Sequence, residues 1–277
     1  GDTLDVGGGK QLMFIEAPML HWPDSMFCYL TGDNILFSND AFGQHYASEH
    51  LYNDTVDQSE LYEEAIKYYA NILTPFSRLV LKKIEELKGL GVPVDIIAPS
   101  HGIIWRDNPM QIVERYAQWA DAYREDRIAV LYDTMWQGTR ALADAIAQGI
   151  AEEAPQTEVK LFNLAMRDKN DVMTEVFRSK GIAVGSPTIN RGILTSVAAA
   201  LEQIRGLGFR GKHGAVFGCY GWSGESVKMI REGLEEARFE LFGEELSAKW
   251  RPDQEAMEQG RDYGRRYARA LADVSLS

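Results

Sequence analysis

From Arg127 onward, short apolar runs alternate five times with helical patterns, and few folds can satisfy that alternation. The runs predict strands over 127–132, 158–163, 181–185, 213–218 and about 246–250. The helical patterns span 139–152, 170–180, 193–206, 224–237 and 253–272. Strand and helix in strict rotation give an α/β fold, a doubly wound five-stranded parallel sheet. Such a sheet binds its ligand outside the carboxyl ends of the strands, so the loops that follow the strands matter most.

Three of those loops are unusual. The first, after 127–132, carries Thr134, Met135, Trp136, Gln137, Gly138 and Thr139. It offers hydroxyls, amides and a helix N-terminus, which together cradle a phosphate. The second carries Ser186, Pro187, Thr188 and Asn190, and the third Gly218, Cys219, Tyr220, Gly221, Trp222 and Gly224. These offer backbone amides to a ring edge, and Trp136, Tyr220 and Trp222 offer faces for stacking. At Cys219 the backbone N–H, not the sulfur, is the group expected to matter. A dinucleotide would need G-x-G-x-x-G and a nucleoside triphosphate G-x-x-x-x-G-K-[ST]; neither stands in the first loop. A mononucleotide with one terminal phosphate fits better. Any one loop alone reads as ordinary turn chemistry; three on the expected strands favour a ligand.

Residues 1–126 differ in charge, with 9 Lys+Arg against 20 Asp+Glu, whereas the remainder has 20 against 21. The shift predicts a first domain over 1–126 and a second over 127–277. A net charge of −12 argues against nucleic acid or an anionic membrane as partner. No apolar run is long enough to span a bilayer. Two cysteines make no disulfide framework, and a cytoplasmic location is the plain expectation.

The first 126 residues hold His21, His45, His50 and His101. His21 follows the strand-like 12–16, Asp40 ends a strand in F-S-N-D-A-F-G, and His101 ends another in P-S-H-G. Imidazole and carboxylate are sound ligands for iron, zinc or manganese. Each also has a simpler reading, as a capping Asp or a hydrogen-bonded His. His45 and His50 read as loop residues, or as supports of a metal site with Tyr46 as hydrogen-bond donor. Residues 60–73 and 108–123 predict amphipathic helices, the second with Asn108 as N-cap and Pro109 in its first turn. Tyr62, Tyr69, Tyr116 and Trp119 are expected in the core, and His213 is expected to be structural.

The words L-H-W-P-D-S-M, F-S-N-D-A-F-G, P-S-H-G, Y-D-T-M-W and Y-G-W-S-G closely resemble the flavodiiron (A-type flavoprotein) family, nearest its flavorubredoxin branch, whose members reduce nitric oxide. The resemblance runs over essentially the whole chain. It implies a metallo-β-lactamase-like αββα domain in part, followed by a flavodoxin-like domain. It implies FMN as cofactor on the loops above, and two iron ions: His21 on one, His101 on the other, Asp40 bridging both. A rubredoxin or rubredoxin-like donor would supply electrons for reduction of nitric oxide to nitrous oxide, dioxygen to water, or both. A head-to-tail homodimer or homotetramer is implied as well.

Two departures stand out. The family's H-x-E-x-D-H cluster is missing, so the chain is expected to be the C-terminal portion of a longer core. No C-x-x-C pair follows the flavin domain, so the donor would be external or on a separate domain. One carboxylate and two imidazoles are too few for two hard cations, so iron binding by these residues alone should be weak. An incomplete sandwich should also leave apolar sheet unburied. Two other functions stay open at this point: a flavodoxin-like electron-transfer module with a non-catalytic first domain, and a zinc hydrolase, which would have no use for FMN.

Overall fold

The computed structural model describes residues 1–276. The chain divides between Asp121 and Ala122, a few residues ahead of the charge shift.

The first unit is built on one five-stranded sheet. Its strands, β1 (Thr3–Gly7), β2 (Lys10–Glu16), β3 (Met26–Leu30), β4 (Ile35–Phe37) and β5 (Ile96–Ala98), lie in chain order. Every pairing is antiparallel except β4 with β5, which is parallel because α1 (Gln58–Tyr68) and α2 (Ser77–Gly89) intervene. A third helix, α3 (Met110–Ala120), follows β5. The period of two sorts the side chains into two faces. Met13, Tyr29, Leu36 and Ile97 are cross-strand neighbours on one face, as are Ile15 and Phe27; all but Met13 are buried. Val80 and Ile84 of α2 and Tyr116 of α3 meet Phe27 on this side. The opposite face carries Leu4, Leu12, Phe14, Cys28 and Leu30, and Met26 and Phe37 on it remain 41% and 42% exposed.

Two helix expectations need correction. The pattern over 60–73 is not one α-helix: α1 ends at Tyr68 and a π-helical turn, Tyr69–Leu73, follows. Asn108 is not the N-cap of α3. It adopts φ 44°, Pro109 takes the cap position, and no side chain caps the helix. Asn108 instead closes a turn in which its carbonyl accepts from Gln111 N at 3.0 Å. Tyr69, Tyr116 and Trp119 pack together in the core as expected, with ring centroids 5.0–5.6 Å apart.

The second unit runs β6 (Glu125–Tyr132), α4 (Gly138–Glu153), β7 (Glu158–Asn163), α5 (Lys169–Arg178), β8 (Ser179–Pro187), α6 (Thr195–Leu207), β9 (His213–Tyr220), α7 (Glu225–Glu236), β10 (Glu240–Leu241), β11 (Leu246–Lys249) and α8 (Gln254–Ala270). The parallel order is β7-β6-β8-β9-β10, with β11 also beside β9. Six strands therefore stand where five are expected. The outermost position is shared: β10 pairs the start of β9 and β11 pairs its end. The order reverses between β6 and β8, which makes the carboxyl end of that pair the switch point. The central strand β8 is buried along its whole length.

Helices α4 and α8 pack against each other through glycine. A Cβ on Gly149 would lie 2.0 Å from Arg261 O, and one on Gly264 2.1 Å from Ile146 O. Backbone touches backbone there, so neither position has room for a side chain. The amino ends of the strands are tied by charge: Arg127, nearly buried, meets Glu175 at 2.7 Å, Glu158 at 2.6 Å and Glu125 at 3.2 Å. Lys212 is buried and donates to the carbonyls of Tyr123 and Ser179 at 2.6 and 2.8 Å; burial holds its pKa well below the usual lysine value. His213 opens β9 and has a structural place.

Candidate functional site

At the carboxyl ends of the strands in the second unit lies a cavity of about 300 Å³. Four strand-end segments build it. The loop after β6 gives Thr134, Met135, Trp136, Gly138 and Thr139; the end of β8 gives Pro187 and Thr188; the loop after β9 gives Cys219, Tyr220, Gly221 and Trp222. The loop after β11 gives Trp250 and Arg251, which the sequence reading missed. Trp250 adopts φ 60° and is 62% exposed at the cavity's edge, and Trp222 stands beside it with ring centroids 6.1 Å apart. A Cβ on Gly221 would sit 3.0 Å from the Trp250 ring, so a side chain there would press the ring aside by a few tenths of an ångström. Trp136 and Trp222 are each 88% exposed, so two large apolar rings stand uncovered at the rim.

The floor is polar and unsatisfied. Thr134 Oγ1 is buried without a hydrogen-bond partner, and Thr139 Oγ1 has only the weak Cys219 thiol beside it. Buried hydroxyls are rarely left unpaired, and such orphans call for an explanation. Thr139 sits in the first turn of α4 and Thr134 in the loop leading into it, and a helix N-terminus favours an anion. Two unpaired hydroxyls, free helix amides and uncovered indoles match the needs of a phosphorylated planar ring system.

Five residues expected to contact the ligand stand outside the cavity wall. Gln137 takes the left-handed N-cap position of α4 with φ 65°. Ser186 is buried beneath, where its hydroxyl accepts from Leu194 N at 3.0 Å and donates to Pro187 O at 2.9 Å. Asn190 lies in the turn closed by Ile189 and Gly192. Gly218 packs on Ser186 O, where a Cβ would approach to 2.6 Å, and Gly224 caps α7. Their positions shape the loops that carry the lining residues. Burial raises the Cys219 thiol to about 11, so it stays protonated near neutral pH.

In the first unit, three loops converge. His21 lies in the turn after β2, Asp40 three residues past β4 and His101 three residues past β5. His21 Nε2 is 3.4 Å from Asp40 Oδ2, and His101 Nε2 is 3.7 Å from Asp40 Oδ1. The two imidazoles address opposite oxygens of one carboxylate. Both separations exceed a hydrogen bond. They suit two ligands that each lie about 2.1 Å from a shared ion. The ligand loops are fastened to one another, with Ser100 N donating to Asn39 O at 2.7 Å. His101 Nδ1 donates to Gln44 O at 3.2 Å, which leaves Nε2 free as a ligand. Buried Gln44 also holds Ile103 N and O. Gly102, at φ 79°, has no room for a Cβ beside Gln44.

No group of three or more His, Cys, Asp or Glu surrounds a single point among the described residues. The geometry explains this: each oxygen of Asp40 has one imidazole beside it, so a metal ion at either oxygen would find two donors among these residues. The donor set fits one wall of a two-metal site. Beyond it, His45 packs on His101 and on Tyr68, with centroids at 5.1 and 4.9 Å. Tyr68, also 5.1 Å from the His101 ring, is buried, and its hydroxyl has no partner. Burial and the charge of Asp40 push its pKa far above the usual tyrosine value. The sequence reading passed over Tyr68; the π-helical turn after it is the structural signal, because such turns cluster at functional sites. Tyr46, expected as a donor, spends its hydroxyl on Glu60 at 2.8 Å. His50 is exposed in its loop.

Residues 1–102 match the family model described as ODP family beta lactamase, and residues 130–264 match that for flavodoxin. The chain is 59% identical over 276 residues to the anaerobic nitric oxide reductase flavorubredoxin of Escherichia coli O1:K1 / APEC; the match covers 100% of this chain and 57% of that relative. Among solved structures, the rubredoxin oxygen:oxidoreductase of Desulfovibrio gigas superposes with a TM-score of 0.94 at 36% identity, over 98% of this chain and 67% of the other. The flavodiiron protein of Giardia intestinalis gives 0.91 at 33% identity, over 97% and 66%. No helix among the described residues is long and apolar enough to cross a membrane. By sequence and by fold alike, the chain belongs to the flavodiiron protein family.

Proposed function

We propose that this chain is part of a flavodiiron oxidoreductase. In this reading it takes electrons from a rubredoxin-type donor through FMN to a non-haem di-iron site that reduces nitric oxide to nitrous oxide, dioxygen to water, or both. The observation that carries it is the single carboxylate of Asp40 with His21 at one oxygen and His101 at the other. FMN would exchange electrons with the donor, and iron would bind and reduce the gas.

The chain's own residues prepare both sites. Thr134, Thr139 and the first amides of α4 would receive the phosphate. Trp136, Tyr220, Trp222 and Trp250 would cover the ring and exclude water. His21 and His101 would each hold one iron, and Asp40 would span both. Gln44 keeps the His101 proton on Nδ1. The unpaired Tyr68 hydroxyl, on a ring packed against His101, would be a hydrogen-bond donor near the site. A head-to-tail homodimer or homotetramer and a cytoplasmic location complete the proposal; light scattering on purified protein tests the first.

A second reading is an FMN electron carrier whose first unit does no chemistry. The two donors per metal position favour it. Metal analysis separates the two. About two irons per FMN in the whole protein supports the oxidoreductase, and flavin with no iron supports the carrier. Asp40→Ala should abolish gas reduction and leave FMN in place. Turnover retained in that variant would remove the bridging role.

A further inference from the structure

The cavity at the strand ends of the second unit holds a single charge. Among its lining residues only Arg251 is ionic; the others are hydroxyl, thiol, aromatic or apolar side chains and glycines. The acids of the neighbouring strand-end loops are engaged elsewhere. Asp133 accepts from Thr134 N at 2.7 Å and from the Ser196 hydroxyl, Glu225 meets Arg191 at 3.2 Å, and Asp253 caps α8 by accepting from Ala256 N at 2.9 Å. No hydrogen bond or ion pair engages the Arg251 guanidinium among the described residues. A cation that lines a cavity with no carboxylate to balance it favours an anionic ligand.

The chain around Arg251 places it at one end of the cavity. A Cβ built on Gly138, the first residue of α4, would lie 3.4 Å from Pro252 Cδ and 3.5 Å from Trp250 O. The segment 250–252 therefore runs across the head of α4, where the helix amides and Thr139 already favour an anion. Its backbone is fixed on both sides of Arg251. Trp250 takes a positive φ, which a bulky residue rarely adopts, and its N–H donates to Tyr220 O at 2.7 Å. Pro252 restricts the residue before it to extended backbone. Strain of this kind persists where the surroundings impose it, and it gathers at ligand sites. We propose that Arg251 supplies the positive charge of the flavin site, pairing with the terminal phosphate of FMN at the head of α4. A planar fork of N–H donors suits phosphate oxygens and, unlike the neutral hydroxyls, adds an attraction that salt screens. This role rests on the FMN reading proposed above and deepens it, because it makes the charge of the ligand a determinant of its selection.

The test compares the affinities of the full chain for FMN and for riboflavin, read by quenching of tryptophan fluorescence. Arg251→Gln should weaken FMN about tenfold or more and change riboflavin less than about twofold. Raising the salt from about 0.01 M to about 0.1 M should weaken FMN several-fold more in the native chain than in Arg251→Gln, and should leave riboflavin unmoved in both. Arg167→Gln removes an exposed cation from the loop after β7, outside this cavity, and should leave FMN affinity unchanged. Arg251 is exposed, and an unaltered thermal unfolding curve certifies that each variant is folded. Native FMN affinity in Arg251→Gln, an equal loss for the two flavins, or an equal effect of Arg167→Gln overturns the assignment to Arg251 and leaves the FMN reading standing. A native chain that binds no FMN removes that reading, and the role of Arg251 with it.

Discussion

The two units bury their sheets differently. In the second, helices cover both faces and β8 has no exposed residue. In the first, one face of the sheet is packed and the other is apolar and open. The same contrast runs through the sites. The second unit builds its whole cavity from its own strand ends. The first sets one imidazole near each oxygen of the Asp40 carboxylate. A site assembled from consecutive βα loops is finished within one unit. In the first unit the candidate ligands come from loops spread over some eighty residues, so their meeting depends on the whole unit folding.

The contrast can be broken by substitution, and the largest effect should fall at the α4–α8 crossing. Gly264→Val would drive a side chain into Ile146 O and should cost about 3 kcal/mol or more, read by denaturant unfolding. Neighbouring residues on opposite faces of β4 give the sharpest comparison. Leu36→Ala should cost about 3 kcal/mol, because Leu36 is 3% exposed. Phe37→Ala should cost less than about 1 kcal/mol, because Phe37 is already 42% exposed. Equal costs would mean that the open face is covered in solution.

A smaller effect is expected in the cavity of the second unit. Thr134→Val removes one donor to the phosphate and should weaken FMN binding about tenfold or more, with fold stability little changed. Unaltered affinity would take that hydroxyl out of the cradle. The smallest effect belongs to Cys219. Cys219→Ser should leave flavin content unchanged, and the native thiol should resist alkylation near neutral pH. Its folded pKa lies above its unfolded value, so the protonated thiol stabilises the fold at and below pH 9, and that contribution is lost as pH rises toward about 11. The alkaline fall in stability should be shallower in the variant.

Much of this was legible from the sequence because the information is local. Thr134–Thr139 and Cys219–Trp222 each lie in one short loop after a clear strand, and His21, Asp40 and His101 each follow a strand-like run. What escaped depends on distant partners. Trp250 and Arg251 follow β11, which is only four residues long and holds half of a split position. Tyr68 sits in a helical pattern that does not reveal the π-helical turn after it. Gly149 and Gly264 acquire meaning only when α4 and α8 touch. The partners of Ser186 and Gly218, namely Leu194 N, Pro187 O and each other's backbone, likewise appear only in the folded chain.

The most direct measurement is a titration of the chain with FMN and, in parallel, with riboflavin, followed by quenching of tryptophan fluorescence. If unpaired hydroxyls and the α4 N-terminus grip a phosphate, FMN binds equimolar with the chain and at least about a hundredfold tighter than riboflavin, since each charge-assisted hydrogen bond contributes about 1.5–3 kcal/mol. Equal affinity for the two, or no saturable binding of FMN, would contradict the account.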